Sequence, residues 1–386
     1  MINLQTDDLK AALATVSPAA GKSSTHPILE NLLLTVTGGW ATLTAQDGTR
    51  EISSSLESDS SEDEAILIPA AKLKGIVAQS GAAPSITLHR AKNSGDSIIA
   101  SVNRSRFTLA SLPVADYPRL TRDDSTHDPE LATVQLTGEL LAGDIKAVLD
   151  CIASNDVRAY LNGLCIQLTE QHINLVATNG HLIGWIQREA EPILHAAGEG
   201  SFVDGVTTVI LPRVTAADLT REKGSCTLTL RRRSMTAAYP PLTTLHSRLI
   251  EGTYPNWESL FPAIDSLQPP IIVEREPMLS ALKYAQVIAD SDQYLAVRIQ
   301  TQSNRMTISL DNAKNENCTS DLPTFTTSET PQAITINVHY LIAILSHMSS
   351  PEVALYLNAE STMLHLLPNP TPAGYRQRYA VMSMKV

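Results

Sequence analysis

Apolar residues recur at helical spacing in three widely separated places along the chain. The pattern predicts one helix capped by Thr6, a second that begins at Thr137 and a third that begins at Glu276-Pro277, because threonine caps helices well and proline suits the first helical position. In each helix the apolar side chains fall at i, i+4 and i+7, so they form one stripe that can be buried. The stripes are Leu9, Leu13 and Val16; Leu141, Ile145, Val148 and Ile152; and Met278, Leu282, Ala285 and Ala289.

A second, shorter helix follows each of these about 60 to 75 residues later, directly after a β-rich run. These second helices are predicted near Ala70, Arg213 and Asn337. Alternating polar and apolar residues elsewhere in each copy predict further strands. The β-rich runs are 65–69, 208–212 and 333–337, and examples of alternating strands are 85–89, 226–230 and 353–357.

This order of helices and strands occurs three times, which indicates tandem α+β domains with two helices and many strands each. The chain has 386 residues, so each copy has about 129, a size that suits a domain and is too large for a solenoid repeat. Because the segments 122–130 and 263–268 are polar or flanked by proline, we predict domains at 1–123, 124–263 and 264–386. The acidic run 57–64 is predicted to be a solvated loop.

The composition is that of a soluble globular protein, with 43% hydrophobic and 18% charged residues. Lysine and arginine number 29 against 40 acids, and the net charge of −11 argues against broad binding to nucleic acid or to an anionic membrane. A small basic surface on the protein remains compatible with this net charge. The N-terminal segment resembles no secretory signal, and no apolar run approaches the roughly 18 residues of a membrane span. With four scattered cysteines as well, we expect a cytoplasmic protein without structural zinc or disulfides.

Sequence motifs for catalysis are absent. Gly21-Lys22-Ser23 resembles the end of a phosphate-binding loop, but the glycine required five residues earlier is Val16. No two histidines have the spacing of a helical zinc site. His181 follows Asn-Gly, which favours a tight turn, and we interpret it as a turn residue because no partner group can be assigned from the sequence. We therefore predict no enzymatic activity, no cofactor and no metal.

Short motifs spread over all three copies occur in the order found in a known family. They are 26–34 (HPILENLLL), 104–109 (RSRFTL), 112–118 (LPVADYP), 156–163 (DVRAYLNG), 177–181 (ATNGH), 254–256 (YPN) and 379–384 (YAVMSM). Each is weak alone, but their shared order and the threefold repeat make the match specific. On these residues the chain resembles the bacterial sliding clamp family, the beta subunits of the replicative DNA polymerase III.

The resemblance implies a head-to-tail homodimer that closes into a ring of six like domains, with helices lining the hole and sheets outside. Such a ring encircles duplex DNA without reading its sequence, and it tethers the polymerase for processive synthesis. Because the ring holds DNA by topology, its phosphate contacts can stay weak enough to permit sliding. The expected partners are a second copy, duplex DNA, polymerase subunits and the clamp loader. No membrane partner is expected.

Partners of this family offer a short peptide with apolar anchors to a pocket between the second and third domains. Methionines suit a groove that accepts many sequences, because their side chains are pliable. The residues alone favour Met382 and Met384 as inward positions of a final strand, and the resemblance reverses that preference. The resemblance places in the pocket Thr178, Gly180, His181, Leu182, Ile183, Pro255, Leu260, Asn337, Tyr340, Met382, Ser383 and Met384.

Five residues depart from the family pattern at this pocket. The family often has aspartate at the position of Asn179 and arginine at that of Leu182. It often has proline at the position of Ser383 and arginine at that of Lys385, and a basic residue is usual where Glu258 stands. The pocket is therefore expected to be less cationic, and its peptide preference to differ.

The resemblance also implies DNA contacts and a subunit seam. Residues expected to reach toward the duplex are Lys22, Asn155, Arg158 and Tyr160, although Tyr160 also fits the start of a core strand. At the seam, Phe107 and Leu109 on an edge strand of the first domain would meet Ile288 and Tyr294 of the third domain in the other subunit. Their alternation equally allows one of Phe107 and Leu109 to be a core residue.

A sliding clamp is accordingly the leading hypothesis. The alternative is a specialised or second-copy clamp-like module that binds peptides with an altered partner preference, which the less cationic pocket favours. A hydrolase built on repeated α+β domains would need a nucleophile–base pair or a metal motif, and the sequence shows none.

Overall fold

The structure is a computed structural model. It describes residues 1–21, 26–60, 62–91, 97–120, 128–194, 206–289, 295–326, 331–357 and 362–384. The chain divides into two compact units. One is built mainly from Met1–Glu139 and Arg221–Leu249, and the other mainly from Leu140–Ile193 and Ile250–Val386.

One order of helices and strands occurs three times along the described chain. The first copy contains β1 (Ile2–Gln5), α1 (Thr6–Val16), β2 (Asn31–Thr37), β3 (Trp40–Gln46), β4 (Arg50–Glu57), β5 (Glu64–Pro69), α2 (Ala70–Ala78), β6 (Ser85–Arg90), β7 (Ser97–Val102) and β8 (Ser105–Ala110).

The second copy repeats this order and adds one short strand, β13. It contains β9 (Glu130–Thr137), α3 (Gly138–Leu149), β10 (Gly163–Leu168), β11 (His172–Thr178), β12 (Leu182–Glu189), β13 (Ile193–Leu194), β14 (Thr207–Pro212), α4 (Arg213–Leu219), β15 (Ser225–Arg231), β16 (Ser234–Tyr239) and β17 (Thr243–Arg248).

The third copy adds the short strand β22. It contains β18 (Ile271–Glu274), α5 (Arg275–Ile288), β19 (Ala296–Gln302), β20 (Arg305–Asp311), β21 (Asn317–Pro323), β22 (Phe325–Thr326), β23 (Gln332–Asn337), α6 (Val338–His347), β24 (Glu352–Leu357), β25 (Met363–Asn369) and β26 (Tyr375–Met382). The α+β fold with three copies of a two-helix, multi-strand unit is confirmed.

Strand pairing joins the copies edge to edge. Within the first unit, β4 pairs with β17 in a sheet that runs β9-β15-β16-β17-β4-β3-β2-β5. Within the second unit, β12 pairs with β26 in a sheet that runs β14-β10-β11-β12-β26-β25-β24-β18-β22. Two four-stranded sheets remain, β1-β6-β7-β8 and β21-β20-β19-β23. Strands β8 and β21 therefore each end a sheet.

The predicted apolar stripes form the contacts of the helices with the sheets. Leu9, Leu13 and Val16 on α1 are at most 2% exposed, and Leu141, Ile145 and Val148 on α3 are equally buried. In the third stripe Met278, Leu282 and Ala285 are buried, while Ala289 lies just beyond the end of α5. Periodicity alone thus located the buried face of all three helices.

The start of the first helix differs from the prediction. Thr6 is the first residue of α1 and is buried, and Gln5 holds the capping position without a side-chain bond. The reason is that β1 runs straight into α1, and the Thr6 amide donates to the Pro84 carbonyl at 3.0 Å. Backbone pairing across the unit supplies the partner that a capping side chain would otherwise provide.

Candidate functional site

The tight turn predicted at Asn179-Gly180 joins β11 to β12. Gly180 has φ of +90°, a conformation that costs glycine little. The Asn179 side-chain oxygen accepts from the amides of His181 and Leu182, both at 2.9 Å, and the Thr178 hydroxyl donates to the Leu182 carbonyl at 2.8 Å. These bonds fix the turn and leave His181 exposed at the strand end.

The end of the chain lies beside this turn. The Met382 amide donates to the His181 carbonyl at 2.9 Å, and the Met384 amide donates to the Thr335 carbonyl at 2.8 Å. Met382 is 47% exposed and Met384 is 37% exposed, so the interpretation of them as inward core positions is wrong. Between them, the Ser383 amide donates to the Thr362 carbonyl at 2.9 Å. Two exposed methionines thus stand next to the exposed His181.

An aromatic cluster forms the floor under this corner. Leu182 and Ile183 are buried, and Ile183 packs with Tyr254, Trp257 and Phe261. The Trp185 ring lies 5.1 Å from the Trp257 ring, centroid to centroid. Members of the same cluster or packed against it are Cys165, Val176, Ile210, Ala380, Tyr160, Ile250 and Met363.

The segment 254–262 alternates between this floor and the solvent. Tyr254, Trp257 and Phe261 point into the cluster, while Pro255 is exposed and Leu260 is 39% exposed. The outward pair therefore presents apolar surface to solvent, in a segment whose alternate side chains are held by the cluster.

Arg378 anchors that segment from below. Its guanidinium donates to the Pro262 carbonyl at 3.0 Å and lies 5.2 Å from the centre of the Phe261 ring. The side chain is only 8% exposed, and burial lowers its pKa. Beside it His365 is 1% exposed, and burial, with a smaller effect from Arg378, lowers the pKa of His365 to about 4.

Asn337 and Tyr340 lie at the start of α6. The Asn337 side chain caps that helix by accepting from the His339 amide at 2.9 Å, and Tyr340 is half-buried one turn further on. Thr335, whose carbonyl accepts the hydrogen bond from the Met384 amide, is two residues before Asn337 on β23. The C-terminal segment therefore runs to the strand that leads into this helix.

Two of the residues assigned to DNA contact lie close to the turn. Arg158 is paired with Asp156 through two bonds of 3.0 and 2.9 Å, and these bonds hold the pKa of Asp156 at about 2. The Arg158 guanidinium lies against the turn, because a β-carbon added to Gly180 would stand 3.1 Å from it. Tyr160 belongs to a short 3-10 turn, Ala159–Asn162, that precedes β10 and packs on the aromatic cluster. The alternative interpretation, that Tyr160 begins a core strand, is therefore wrong, because β10 begins at Gly163.

The other residues assigned to DNA contact are Asn155 and Lys22. Asn155 has φ of +58°, a left-handed conformation that asparagine tolerates better than most residues. Lys22 lies outside the described residues.

The residues assigned to the seam differ in exposure. On the edge strand β8, Phe107 is 39% exposed and Leu109 is 9% exposed, so of this pair Leu109 is the core residue. Ile288 is the last residue of α5 and is half-buried. Tyr294 lies outside the described residues.

The described part of the chain shows neither a metal site nor a membrane-spanning helix. It contains no group of three or more side chains that could hold a metal ion. Within the same residues, no helix is both long and apolar enough to cross a membrane.

Three family descriptions match the sequence in chain order. The N-terminal, central and C-terminal domains of the DNA polymerase III beta subunit match residues 1–121, 135–256 and 259–382. This chain belongs to the DNA polymerase III beta subunit family. The family consists of sliding-clamp processivity factors and not of catalysts.

Curated relatives span the whole beta subunit. The beta sliding clamps of Proteus mirabilis and Escherichia coli (strain K12) are each 27% identical to the chain, over 392 and 390 residues, and both alignments cover 99% of each protein.

Solved beta subunits show the same fold. The DNA polymerase III subunit beta of Pseudomonas aeruginosa is 23% identical, with a TM-score of 0.86 and 100% of both chains covered. A sliding clamp from Bartonella birtlesii bound to griselimycin is also 23% identical, with a TM-score of 0.86, and covers 100% of this chain and 99% of that one.

Sequence reasoning missed several side chains that build the floor in this beta subunit. Trp185, Trp257, Met363 and Arg378 belong to it, although no motif marks them. Trp185 and Trp257 carry a detectable signal, since two of the three tryptophans of the chain end up in one cluster. Arg378 carries none, because an arginine among polar residues at the start of a strand normally faces water.

Proposed function

We propose that this chain is a DNA sliding clamp, a homodimeric ring that encircles duplex DNA and tethers the replicative polymerase and other partners for processive synthesis. The observation that carries the proposal is the threefold repeat within the beta subunit family, joined edge to edge, with β8 and β21 each at one edge of a four-stranded sheet in the described part of the chain. A second copy provides the partner for each edge, and closed pairing removes the hazard of an open edge.

The charge of the chain fits topological binding. A net charge of −11 is poorly suited to a protein that holds DNA through many phosphate contacts. A ring, in contrast, needs only weak and non-specific contacts with the phosphates. We assign such contacts to Lys22, Asn155, Arg158 and Tyr160. A cytoplasmic location and domains at 1–123, 124–263 and 264–386 belong to the same proposal.

Partner peptides are proposed to bind at the corner formed by the 178–183 turn, the segment 255–260, the start of α6 and the C-terminal residues 382–384. In support, this corner combines exposed apolar side chains with a rigid aromatic floor, which is how small peptide pockets gain affinity. Polymerase subunits and the clamp loader would present the peptides.

The pocket is tested by replacing Met382 with aspartate. A charge among the apolar anchors is expected to raise the Kd for a fluorescent peptide with apolar anchors by about tenfold or more. The control is Ile193→Asp, which places the same charge at a 64% exposed position away from the pocket. Anisotropy titrations that give one Kd for both variants and the unaltered chain would rule out this pocket.

The ring is tested by solution mass and by retention on DNA. At micromolar concentration we expect two chains per particle, retained on nicked circular DNA and released when that DNA is cut. Phe107→Asp is expected to give one chain per particle and no retention, because the charge would be buried at the seam. Phe325→Asp is the control, since Phe325 is 66% exposed and lies outside the seam. A single chain in the unaltered protein would exclude the ring.

A further inference from the structure

Two Asn-Gly pairs occur in the sequence, Asn162-Gly163 and Asn179-Gly180. In such a pair the backbone nitrogen of the glycine can attack the side-chain carbonyl carbon of the asparagine, because glycine has no β-carbon to obstruct the approach. The attack closes a cyclic imide, which water then opens to aspartate or isoaspartate. How readily this happens in a folded chain depends on how each pair is held.

The Asn179-Gly180 pair is open to this reaction. It lies in the turn between β11 and β12, outside the paired residues of the two strands, and Gly180 is exposed. The Gly180 amide donates to the Thr178 hydroxyl at 3.1 Å, so its nitrogen is not held in a strand ladder. The nearest atoms to a β-carbon on Gly180 would belong to the exposed guanidinium of Arg158, which can move aside. Water and a closing ring therefore both have room.

Backbone amides activate the Asn179 side chain. Its Oδ1 accepts from the amides of His181 and Leu182, both at 2.9 Å. Negative charge develops on this oxygen when the carbonyl carbon is attacked. Two N–H groups that already point at the oxygen stabilise that charge, as the donors of an oxyanion hole do.

The Asn162-Gly163 pair is closed to the reaction. The Asn162 side chain is held at both ends by the backbone of Asp156, whose amide donates to Oδ1 at 2.9 Å and whose carbonyl accepts from Nδ2 at 2.8 Å. Gly163 is buried in β10, and a β-carbon on it would stand 2.6 Å from the Ile210 side chain and 2.8 Å from the Leu211 carbonyl oxygen. Its nitrogen cannot move toward Asn162 without breaking the strand, so this pair is an internal control.

The first repeat contains the same turn with a carboxylate in place of the amide. Asp47-Gly48 joins the third strand of the first repeat to the fourth, as Asn179-Gly180 does in the second, and the two glycines have φ of +89° and +90°. The Asp47 Oδ1 accepts from the amides of Thr49 and Arg50 at 2.9 and 3.0 Å. A turn of this kind is therefore compatible with aspartate.

We propose that Asn179 is a site of spontaneous deamidation, with water as the co-reactant. Base in the solvent removes the Gly180 amide proton, and the nitrogen forms a bond to the Asn179 Cγ. The Cγ–Nδ2 bond breaks, and the side-chain nitrogen leaves as ammonia after it takes a proton from water. Water then adds to either carbonyl of the imide, breaks its bond to the Gly180 nitrogen, and leaves aspartate or isoaspartate at position 179.

The modification changes the proposed pocket, and this part of the inference rests on the proposed function. Asn179 belongs to the turn that presents His181, so aspartate adds a negative charge at the rim of the pocket. In the first repeat Arg50 lies 3.5 Å from the Asp47 carboxylate, but the residue in its place here is Leu182, which cannot pair with the new charge. Peptides with an acidic residue beside their apolar anchors then bind less well. Isoaspartate lengthens the backbone of the turn and so also displaces His181.

Peptide mapping by mass spectrometry tests the modification itself. The full chain is held in mildly alkaline buffer, and conversion of the amide to a carboxylate is followed over time at positions 162 and 179, with and without urea. In the folded protein we expect conversion at 179 at least about tenfold faster than at 162, since one oxyanion donor alone can contribute that factor. In urea the two rates should become similar. Equal rates at the two positions of the folded protein, or no conversion at 179, would overturn the proposal.

Asn179→Asp tests the effect on the pocket, since the turn at Asp47 shows that this residue fits. The probes are two fluorescent peptides with identical apolar anchors, one flanked by an acidic residue and one by a basic residue. We expect the Kd for the acidic peptide to rise by about two- to fivefold, the effect of one exposed charge, and the Kd for the basic peptide not to rise. The control is Asn304→Asp, which makes the same change at an exposed position in the turn between β19 and β20.

The outcomes separate this site from the proposed pocket. Conversion at 179 together with weaker binding of the acidic peptide supports both parts of the inference. Conversion at 179 with both Kd values unchanged would overturn the effect on the pocket and leave the modification standing. If Met382→Asp weakens peptide binding but position 179 does not react, the pocket stands and the deamidation site is overturned.

Discussion

At the scale of single residues, the least predictable feature is the pair of buried nitrogen-bearing side chains under the proposed pocket. Arg378 reaches a carbonyl 116 residues away in sequence, and its aromatic neighbour Phe261 lies in the same distant segment. A local pattern carries no information about such a contact. The turn at Asn179-Gly180 was predictable, in contrast, because its bonds join residues at most four apart.

His365 makes stability depend on pH. Its pKa is lowered to about 4 in the folded chain, from an ordinary value near 6.5, so the folded chain binds fewer protons between these values. Acidification from pH 6.5 to 4 therefore favours unfolding, and this residue accounts for a loss of about 3 kcal/mol across that window. Urea unfolding at several pH values should show a shallower decline for His365→Leu. Equal slopes in the two proteins would contradict this assignment.

At the scale of elements, periodicity identified the helices and their buried faces, because a helix buries a stripe fixed by its own sequence. The pairing of strands between repeats was not predictable from composition or spacing. Strands β4 and β17 are brought together by contacts between residues almost two hundred positions apart, such as Ile52 and Leu245. The motifs of the family supplied the candidate seam, and the structure supplied the register of the two internal junctions.

Gly184 and Gly143 are expected to respond to alanine substitution in opposite ways, because only Gly184 is closely packed. Gly184 on β12 leaves room for Cys151 and Tyr379, and a methyl group there would stand within 3.0 Å of both. Gly184→Ala is expected to lower the free energy of unfolding by about 1–3 kcal/mol. Gly143 is exposed on α3 with open space around it, so Gly143→Ala is expected to raise that free energy by about 0.5–1 kcal/mol. Chemical denaturation of both variants checks the pair, and shifts of the same sign would refute it.

At the scale of the whole molecule, the function could be inferred from the sequence by its resemblance to a family and not from any chemical motif. Residue patterns gave three α+β repeats and gave no catalytic motif, yet neither result names a function. The function came from seven short motifs in a shared order, because a ring acts through its topology and its surface, which leave few chemical signatures. The departures at Leu182 and Glu258 remain the part that family membership leaves open, since Leu182 is buried at the start of β12 and Glu258 is exposed next to Trp257.

The proposed seam differs from the internal junctions in one respect that has a kinetic consequence. Junctions between repeats of one chain are tethered, so dilution leaves them intact, whereas a junction between two copies obeys mass action. The two seams of the proposed ring would therefore be the points at which the circle opens. The concentration of the chain in the cell would then set the fraction of rings that are closed. A partner that binds at one seam would control entry and exit of the DNA.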